Sequence, residues 1–311
     1  MNPDPRSDAP LAVAQRIQPA PDPLADESTA LLAGTLAQAW PQAPAPAGLR
    51  DRLVRRAAHS ARRIAAMVNV RQRDRELVES AAGLRVQRIY LRDDASPLRP
   101  GEPQQVRLAQ LQPGAVWHLA AGPVELGREW LLVQGSAELS TLADGSTGTS
   151  AHGASGDDGR ERLHLAPLDY HVQSGAASRR PASLCAGEQG ALVMLRERAW
   201  PTHGPAAASV TARESPAAWD DYAPLIRRRV LWRDGPMAAM LWLAEPGACV
   251  PHHEHGHDEE CLMLRGDLFQ DDYLLQEGDY QLAPSGSAHE TVTTDTGALI
   301  YAHGDLDMRF V

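Results

Sequence analysis

Hydrophobic and polar positions follow two different periods, one before about residue 80 and one after it. Apolar or small residues recur at every third or fourth position from Leu49 to Met67, which predicts an amphipathic helix of roughly 20 residues. From about Gly83 the pattern changes to short apolar runs separated by Gly, Pro and Asp, such as EWLLVQG and ECLMLRGDLF. Such runs are typical of β-strands joined by turns. The pattern therefore predicts a mainly β protein with an N-terminal α-helical extension.

The β-type runs occur in two series of similar order. EWLLVQGSAEL (129–139) is similar to ECLMLRGDLF (260–269), and PLDYHV (167–172) is similar to EGDYQL (277–282). This internal repeat predicts two copies of one β-domain. We expect the following organisation: a disordered tail over 1–25, a helical extension over 26–80 with a Pro/Ala linker at 41–48, a first β-domain over 83–200 with a glycine-rich insertion at 144–159, and a second β-domain over 215–311.

Composition narrows the class of protein. The chain has 311 residues, a net charge of −10 and 43% hydrophobic residues, which is typical of a globular protein and disfavours nucleic-acid binding through a basic surface. It contains no run of about 18 apolar residues, so we expect no membrane span. The first residues lack the layout of a signal peptide, which favours the cytoplasm. Three widely spaced cysteines predict no disulfide framework.

The histidines are unevenly distributed, since four of the twelve lie between His252 and His257. His253 and His255 are two residues apart, so on a strand both imidazoles point to the same face. Glu259 follows a tight turn with the parity to face them, and His289 comes from a separate strand. Three imidazoles and one carboxylate suit a divalent first-row metal. The sequence therefore predicts a metal site in the second β-domain.

Neighbouring side chains leave alternatives open. Glu260 is a rival to Glu259 as the carboxylate ligand, although strand parity favours Glu259. His257 is expected in the second shell of the metal or exposed in the turn. Cys249 and Cys261 share parity with the ligands, and the simpler interpretation is that both are small buried hydrophobic residues. The alternative is a redox-sensitive thiol beside the metal.

The spacings also form two motifs. The first consists of Gly247, His253, His255, Glu259 and Gly266, and the second of Gly278, Pro284, Gly286 and His289. Together they resemble the two signature motifs of the cupins. Over residues 240–305 the chain resembles the C-terminal cupin of ChrR-type anti-sigma factors. The resemblance implies two jelly-roll barrels, a bicupin, with one metal in the second barrel; zinc is the metal we expect first, with iron, manganese or nickel as alternatives.

The first copy lacks the ligands of the second. Alignment of the two copies places Gly122, Val124 and Arg128 at the positions of the first three ligands, and Arg179 at that of the fourth. None of these residues replaces an imidazole or a carboxylate as a ligand. We therefore expect the first barrel to be metal-free, with a structural or docking role.

The resemblance implies a function only in part. ChrR-type proteins carry an N-terminal zinc-binding anti-sigma domain with an HxxxCxxC motif, and this chain has no cysteine before Cys185. We expect a cytoplasmic metal-binding protein with a sensory or regulatory, anti-sigma-factor-like role. One alternative is a metal-dependent cupin dioxygenase that acts on a small molecule. Another is a structural zinc barrel without catalysis.

The segment 49–75 contains nine arginines and two acidic residues. The simpler interpretation is a solvated polar face, with the apolar stripe of the helix docked on the first barrel or on a second subunit. The alternative is a binding surface for a sigma factor or another acidic protein. Cupin barrels often pair edge strands, so a homodimer is a further alternative.

Overall fold

The computed structural model describes residues 46–92, 104–122, 126–142, 160–200 and 209–311. Several predicted features lie outside these residues: the tail at 1–25, the first part of the helical extension, most of the linker at 41–48, the insertion at 144–159, and Val124. The described chain is mainly β, which confirms the predicted fold class. Within it, no helix has the length and apolar character needed to cross a membrane.

Two helices and 22 strands make up the described chain. The helices are α1 (Leu49–Ala66) and the single turn α2 (Gly175–Ser178), and 3-10 turns lie at Gln72–Asp74 and Pro216–Ala218. The strands up to residue 212 are β1 (Val68–Val70), β2 (Glu76–Ala81), β3 (Leu84–Arg92), β4 (Gln104–Leu111), β5 (Val116–Leu119), β6 (Leu126–Leu142), β7 (Arg160–Leu165), β8 (Tyr170–Gln173), β9 (Ala182–Ala199) and β10 (Val210–Ala212). The remaining strands are β11 (Asp220–Ala223), β12 (Ile226–Asp234), β13 (Met237–Ala244), β14 (Cys249–Val250), β15 (His253–Glu254), β16 (Glu259–Gln270), β17 (Tyr273–Gln276), β18 (Tyr280–Ala283), β19 (Ala288–His289), β20 (Val292–Thr293), β21 (Ala298–Asp305) and β22 (Arg309–Phe310).

The strands form jelly-roll-like antiparallel sheets. We call β2–β10 the first barrel and β11–β22 the second barrel. The first barrel has the strand order β10-β8-β6-β9-β4-β3-β2, with β5 beside β9 and β7 beside β6. The large sheet of the second barrel has the order β1-β18-β16-β21-β13-β12-β11 and is extended by β14, β17 and β20. A separate three-stranded sheet, β19-β15-β22, carries two of the predicted ligands, His253 and His289.

The chain divides into two compact units. One consists of Val70–Ala218 and Val230–Ala238, and its core contains the fully buried Trp117 and Trp130, whose rings meet edge to face at a centroid distance of 6.0 Å. The other consists of the described residues 46–69 together with 219–229 and 239–311. Helix α1 therefore belongs to the same unit as the predicted metal site.

The two barrels repeat the same turn. Asp169 accepts the backbone N–H of Ala166 at 3.0 Å in the first barrel, and Asp279 accepts that of Gln276 at 3.1 Å in the second. In each copy the tyrosine that follows the aspartate donates its hydroxyl to the buried glutamate of the neighbouring strand. The internal repeat predicted from the sequence is therefore present in the fold.

Helix α1 ends one residue before the end of the predicted apolar stripe at Met67. It stops at Ala66, and the rest of the basic segment up to residue 75 forms β1 and a 3-10 turn. The β-branched residues Val68 and Val70 favour extended backbone. The side-chain amide of Asn69 donates to the carbonyl of Ile64 at 3.0 Å and so satisfies one of the last helical carbonyls. The apolar stripe therefore predicts the end of the helix to within one residue, whereas the basic segment 49–75 is not helical beyond Ala66, so a basic helix over all of 49–75 is wrong.

Ion pairs connect α1 to the second barrel. Arg56 lies 3.1 Å from Asp272, and Arg63 lies 2.9 Å from Asp271. No described residue of α1 is buried, and Leu53 is 56% exposed. Arginines of the helix therefore make several of its contacts with this unit, and the predicted docking surface for the apolar stripe stays a prediction.

Candidate metal centre

The four predicted ligands lie together in the second barrel. His253 pairs in register with His289 across β15 and β19, and their ring centroids are 5.5 Å apart. The ring of His255 lies 5.2 Å from that of His253 and 5.0 Å from that of His289. All three histidines are buried, and Glu259 reaches them from the start of β16. We call these four residues the His/Glu cluster.

A glycine on the neighbouring strand leaves room for Glu259 beside the imidazoles. Its Oε2 lies 3.5 Å from Nδ1 of His255. A Cβ atom on Gly304 of β21 would lie 2.9 Å from Cγ and 3.2 Å from Cα of Glu259. Gly304 therefore leaves the space that Glu259 occupies, a role that the sequence analysis did not identify.

The charges of the cluster favour an ionised carboxylate beside imidazoles. Burial acts to raise the pKa of Glu259, but the charge and hydrogen bond of His255, together with the charges of the other two histidines, outweigh it and lower this pKa to about 2. Burial acts to lower the pKa of His255, but the Glu259 carboxylate outweighs it and the pKa is raised. Burial lowers the pKa of His253. Glu259 is therefore an anionic donor over the whole physiological pH range.

The nitrogen atoms of the cluster fit a metal ion. Nδ1 of His253 lies 2.9 Å from the carbonyl oxygen of Pro251, so its Nε2 is left as the donor with a lone pair. Nε2 of His255 and both ring nitrogens of His289 are buried without a hydrogen-bond partner. Buried polar atoms without partners are costly, and a cation bound by the nitrogen lone pairs would remove that cost.

The spacing of the rings supports the same conclusion. Imidazoles that share a metal at about 2.0–2.1 Å have ring centroids about 4.5–5.5 Å apart, as these do. Among the described residues, no three such side chains already have the geometry of a formed site. The ring spacing and the unpaired nitrogens nevertheless fit one shared ion. Small rotations of the buried side chains would replace the contact between Glu259 and His255 by coordination of that ion.

Two of the alternative residues lie away from the cluster. Glu260 accepts a hydrogen bond from the hydroxyl of Tyr280 at 2.9 Å, on the opposite face of the strand from Glu259. His257 is 41% exposed, and its Nδ1 lies 2.5 Å from Oδ1 of Asp305. The other oxygen of Asp305 accepts the backbone N–H of Gly256 at 2.6 Å. His257 and Asp305 therefore hold the loop between the ligands.

The two cysteines have different environments. Cys261 is buried, with its Sγ atom 3.6 Å from Oε1 of Glu259. Burial, together with this carboxylate, raises its pKa well above the ordinary value, which keeps the thiol protonated and disfavours oxidation. Cys249 is exposed, so its predicted burial beside the metal is wrong. The strand β14 ends at Val250, and alternation along one strand therefore does not extend from Cys249 to the ligands.

The last residue of β16, Gln270, and the residue that follows it, Asp271, also contact this region. Oδ2 of Asp271 lies 3.7 Å from Nδ1 of His289. Burial acts to raise the pKa of Asp271, but His289, two backbone N–H groups and Arg63 hold it below its usual range. Gln270 is buried, and its Oε1 has no hydrogen-bond partner. No short-range sequence pattern indicates these contacts, since His289 is 18 residues from Asp271.

Two cavities meet at the cluster. The inner one has a volume of about 60 Å³ and is bordered by His253, Glu259 and His289, with mostly apolar side chains elsewhere. The outer one has a volume of about 430 Å³ and lies between α1 and the loops of the second barrel, with mixed polar and charged walls. Both are lined by Gln270 and His289.

The first barrel has an arginine where the second has Glu259. Arg128 is 4% exposed and donates to Glu197 at 3.0 Å and to the carbonyl of Ala120 at 2.5 Å. Glu197 lies opposite Arg128 in the sheet, as Gly304 lies opposite Glu259. A fixed guanidinium with its own carboxylate thus stands at the position of an anionic ligand, which favours the predicted metal-free first barrel.

Comparisons with known proteins agree with this geometry. No curated protein matches the chain. Residues 207–307 match the family model described as ChrR Cupin-like domain. This part of the chain is therefore similar to ChrR cupin-like domains. It contains all four residues of the His/Glu cluster, whereas β10 is the one strand of the described first barrel that lies within the match.

Similar solved structures cover both barrels. Oxalate decarboxylase from Bacillus subtilis has a TM-score of 0.54 and 15% identity, over 78% of this chain and 78% of that one. Oxalate decarboxylase from Lactobacillus farciminis, in a formate complex, has a TM-score of 0.53 and 11% identity, over 78% and 87%. A protein from Pseudomonas aeruginosa described as glyoxylate-induced has a TM-score of 0.56 and 12% identity, over 79% and 91%. At these identities the likeness shows the fold, which is that of a bicupin, and the match to the ChrR Cupin-like model lies in its second half.

Proposed function

We propose that the protein is a metal-dependent cupin enzyme that acts on a small molecule, with the active site in the ChrR cupin-like domain. The observation that carries this proposal is a buried His/Glu cluster that borders two cavities of different character. Four protein ligands leave one or two positions of a five- or six-coordinate ion for other molecules. A purely structural metal site is closed by its protein ligands and needs no cavity beside them.

The two cavities suit two reactants. The inner volume of about 60 Å³ holds two or three non-hydrogen atoms, given about 30 Å³ per water molecule, and its apolar walls suit O₂. The outer volume of about 430 Å³ lies in the range of small-molecule sites and has polar walls. Oε1 of Gln270, at the border of both, would accept a hydrogen bond from the substrate. The reaction class that fits is a dioxygenase, in which both atoms of O₂ enter the organic substrate.

The metal follows from that reaction class. When bound, a redox-active metal would supply the Lewis-acid and electron-transfer chemistry that O₂ requires. Zinc, which the sequence analysis expects first, has no redox chemistry. We therefore propose iron, manganese or nickel for the enzyme. The Bacillus subtilis oxalate decarboxylase has Mn(II) centres, which is a further reason to include manganese.

Reconstitution with single metals tests the enzyme proposal. The stripped protein is loaded separately with Fe²⁺, Mn²⁺, Ni²⁺ and Zn²⁺, and O₂ uptake is measured with 2,4-pentanedione and with a flavonol, beside CO₂ release from oxalate. We expect turnover with a redox-active metal and none with Zn²⁺ or in a His289→Ala variant. Tight binding of every metal without any turnover on this panel would argue against the enzyme and for a structural or regulatory metal.

A regulatory role is the second candidate, and one observation favours it. Arg63 of α1 donates to the carbonyl of Ala288, the residue before the ligand His289, at 2.8 Å, and lies 2.6 Å from Glu290. A change at His289 would thus be passed to a basic helix, which is the surface for a sigma factor or another acidic protein. Hydrogen exchange of α1 with and without bound Zn²⁺ tests this link. Identical exchange in both states would remove the regulatory candidate.

A further inference from the structure

Asp271 has an unusual backbone conformation directly after β16. Its φ angle is +58°, a left-handed value that few residues other than glycine adopt. Its N–H donates to the carbonyl of Thr291 at 2.9 Å, and its Oδ1 accepts the N–H groups of Glu290 and Thr291 at 2.7 and 3.0 Å. These three hydrogen bonds attach Asp271 to the segment that follows His289.

The second carboxylate oxygen points to the ligand itself. Oδ2 of Asp271 lies 3.7 Å from Nδ1 of His289 and 2.9 Å from the guanidinium of Arg63. Neither ring nitrogen of His289 has a hydrogen-bond partner at the present distances, and the ring is buried. Oδ1 thus serves the turn, whereas Oδ2 stands between the imidazole and α1. Strained conformations of this kind are retained where the surrounding structure or the function requires them.

We propose that Asp271 is a positioning residue for the metal site. Its Oδ2 accepts the Nδ1–H of His289, which fixes the neutral tautomer that carries its lone pair on Nε2 and sets the rotation of the ring. Arg63 holds the same oxygen from the side of α1. The inference rests on the proposed metal site, although it does not depend on which reaction the metal serves.

Asp271→Asn tests the proposal with little disturbance of the turn. Asparagine adopts the left-handed conformation and keeps the oxygen that accepts the N–H groups of Glu290 and Thr291. The matched control is Asp272→Asn, since Asp272 also pairs with α1, through Arg56, but has no contact with the cluster in the described structure. Affinity for Zn²⁺ and Mn²⁺ is measured by competition with a chromophoric chelator. We expect binding about 10- to 100-fold weaker in Asp271→Asn, and within about twofold of wild type in the control.

A double-mutant cycle separates positioning from a structural role. In a His289→Ala background, Asp271→Asn is expected to change the remaining affinity less than about twofold, because the ring that it positions is gone. Equal weakening in both backgrounds would show that Asp271 only shapes the turn and would overturn the proposal.

The remaining outcomes are also distinguishable. Unchanged affinity in Asp271→Asn, with one metal per wild-type chain, would overturn this inference and leave the metal site intact. A wild-type chain without any metal affinity would overturn both. If Asp271→Asn does not fold, Arg63→Gln is measured instead, with an expected several-fold loss of affinity, and wild-type affinity in that variant would contradict the proposal.

Discussion

At the scale of single residues, one strand position gives the two barrels opposite charge. Glu259 is an anion that faces three imidazoles, whereas Arg128 is a buried cation paired with Glu197. Breaking such a buried pair typically costs about 3–5 kcal/mol. The pair of Arg128 and Glu197 thus stabilises the first barrel, whereas the anionic Glu259 suits the proposed metal site of the second barrel.

Gly304 is expected to affect metal affinity only because its lack of a side chain leaves room for Glu259. In Gly304→Ala the new methyl group would lie 2.9 Å from Cγ of Glu259, closer than real Cβ atoms approach another heavy atom, so we expect the Glu259 side chain to shift from its place beside the imidazoles. We expect metal binding at least about tenfold weaker, measured by chelator competition, with the unfolding temperature of the stripped protein as the control for folding. Wild-type affinity in this variant would show that Glu259 does not need its present position.

A histidine of the first barrel makes its stability depend on pH. Burial, and then the charge of Arg213, lowers the pKa of His171 from 6.5 to about 4. The unfolded chain therefore takes up the proton more readily than the folded one. The contribution of neutral His171 to the stability of the folded state is present in full above pH 6.5 and is lost as the pH falls from 6.5 to about 4.

Replacement of His171 checks this dependence. Between pH 7 and pH 4.5 the free energy of unfolding of His171→Asn should fall by roughly 2 kcal/mol less than that of wild type, after discounting the partial exposure of the ring. Urea unfolding of the first barrel at the two pH values measures it, and His164→Asn, at a side chain that is 83% exposed, is the control. The same pH dependence in wild type and His171→Asn would contradict the assignment.

The sequence predicts the site better than its surroundings. The motif spacing brings His253, His255, Glu259 and His289 to one place because alternation along strands and a repeated turn are local properties. The exposure of Cys249 differs from the prediction because β14 is only two residues long. The sequence did not predict the roles of Asp271, Gln270 and Gly304. Their contacts join distant segments of the chain, which no short-range sequence pattern indicates.

At the scale of secondary-structure elements, α1 is attached by charge. Its pairs with Asp271, Asp272 and Glu290 involve arginines at or near the surface. Exposed ion pairs contribute about 0–1 kcal/mol each and are screened by salt. Both ends of α1 are predicted from its period to within one residue, whereas the pairing of β1 with β18 that follows is not indicated by the helical period.

Salt should therefore loosen α1 selectively. Amide exchange in α1 is expected to become several-fold faster in 1 M NaCl than in 50 mM NaCl, because the Debye length falls to about 3 Å. Amides of β16, in the middle of its sheet, serve as the control and should not change. Equal protection of α1 at both concentrations would mean that apolar contacts hold the helix.

At the scale of the whole molecule, the chain contains two copies of one barrel, and in the described structure the His/Glu cluster lies in the second copy. The internal repeat predicts this duplication because each copy must have the same turns. The assignment of Val230–Ala238 to the unit of the first barrel was not predicted, since it depends on long-range packing. The family match to residues 207–307 coincides with the copy that carries the ligands.

Metal content per chain tests the central claim most directly. Elemental analysis is made of the wild type and of a His253→Ala/His289→Ala variant after equilibration with a single divalent metal and removal of the excess. One metal per wild-type chain and none in the variant is the result that the account predicts. A second metal per chain, no metal in the wild type, or a full complement in the variant would contradict it.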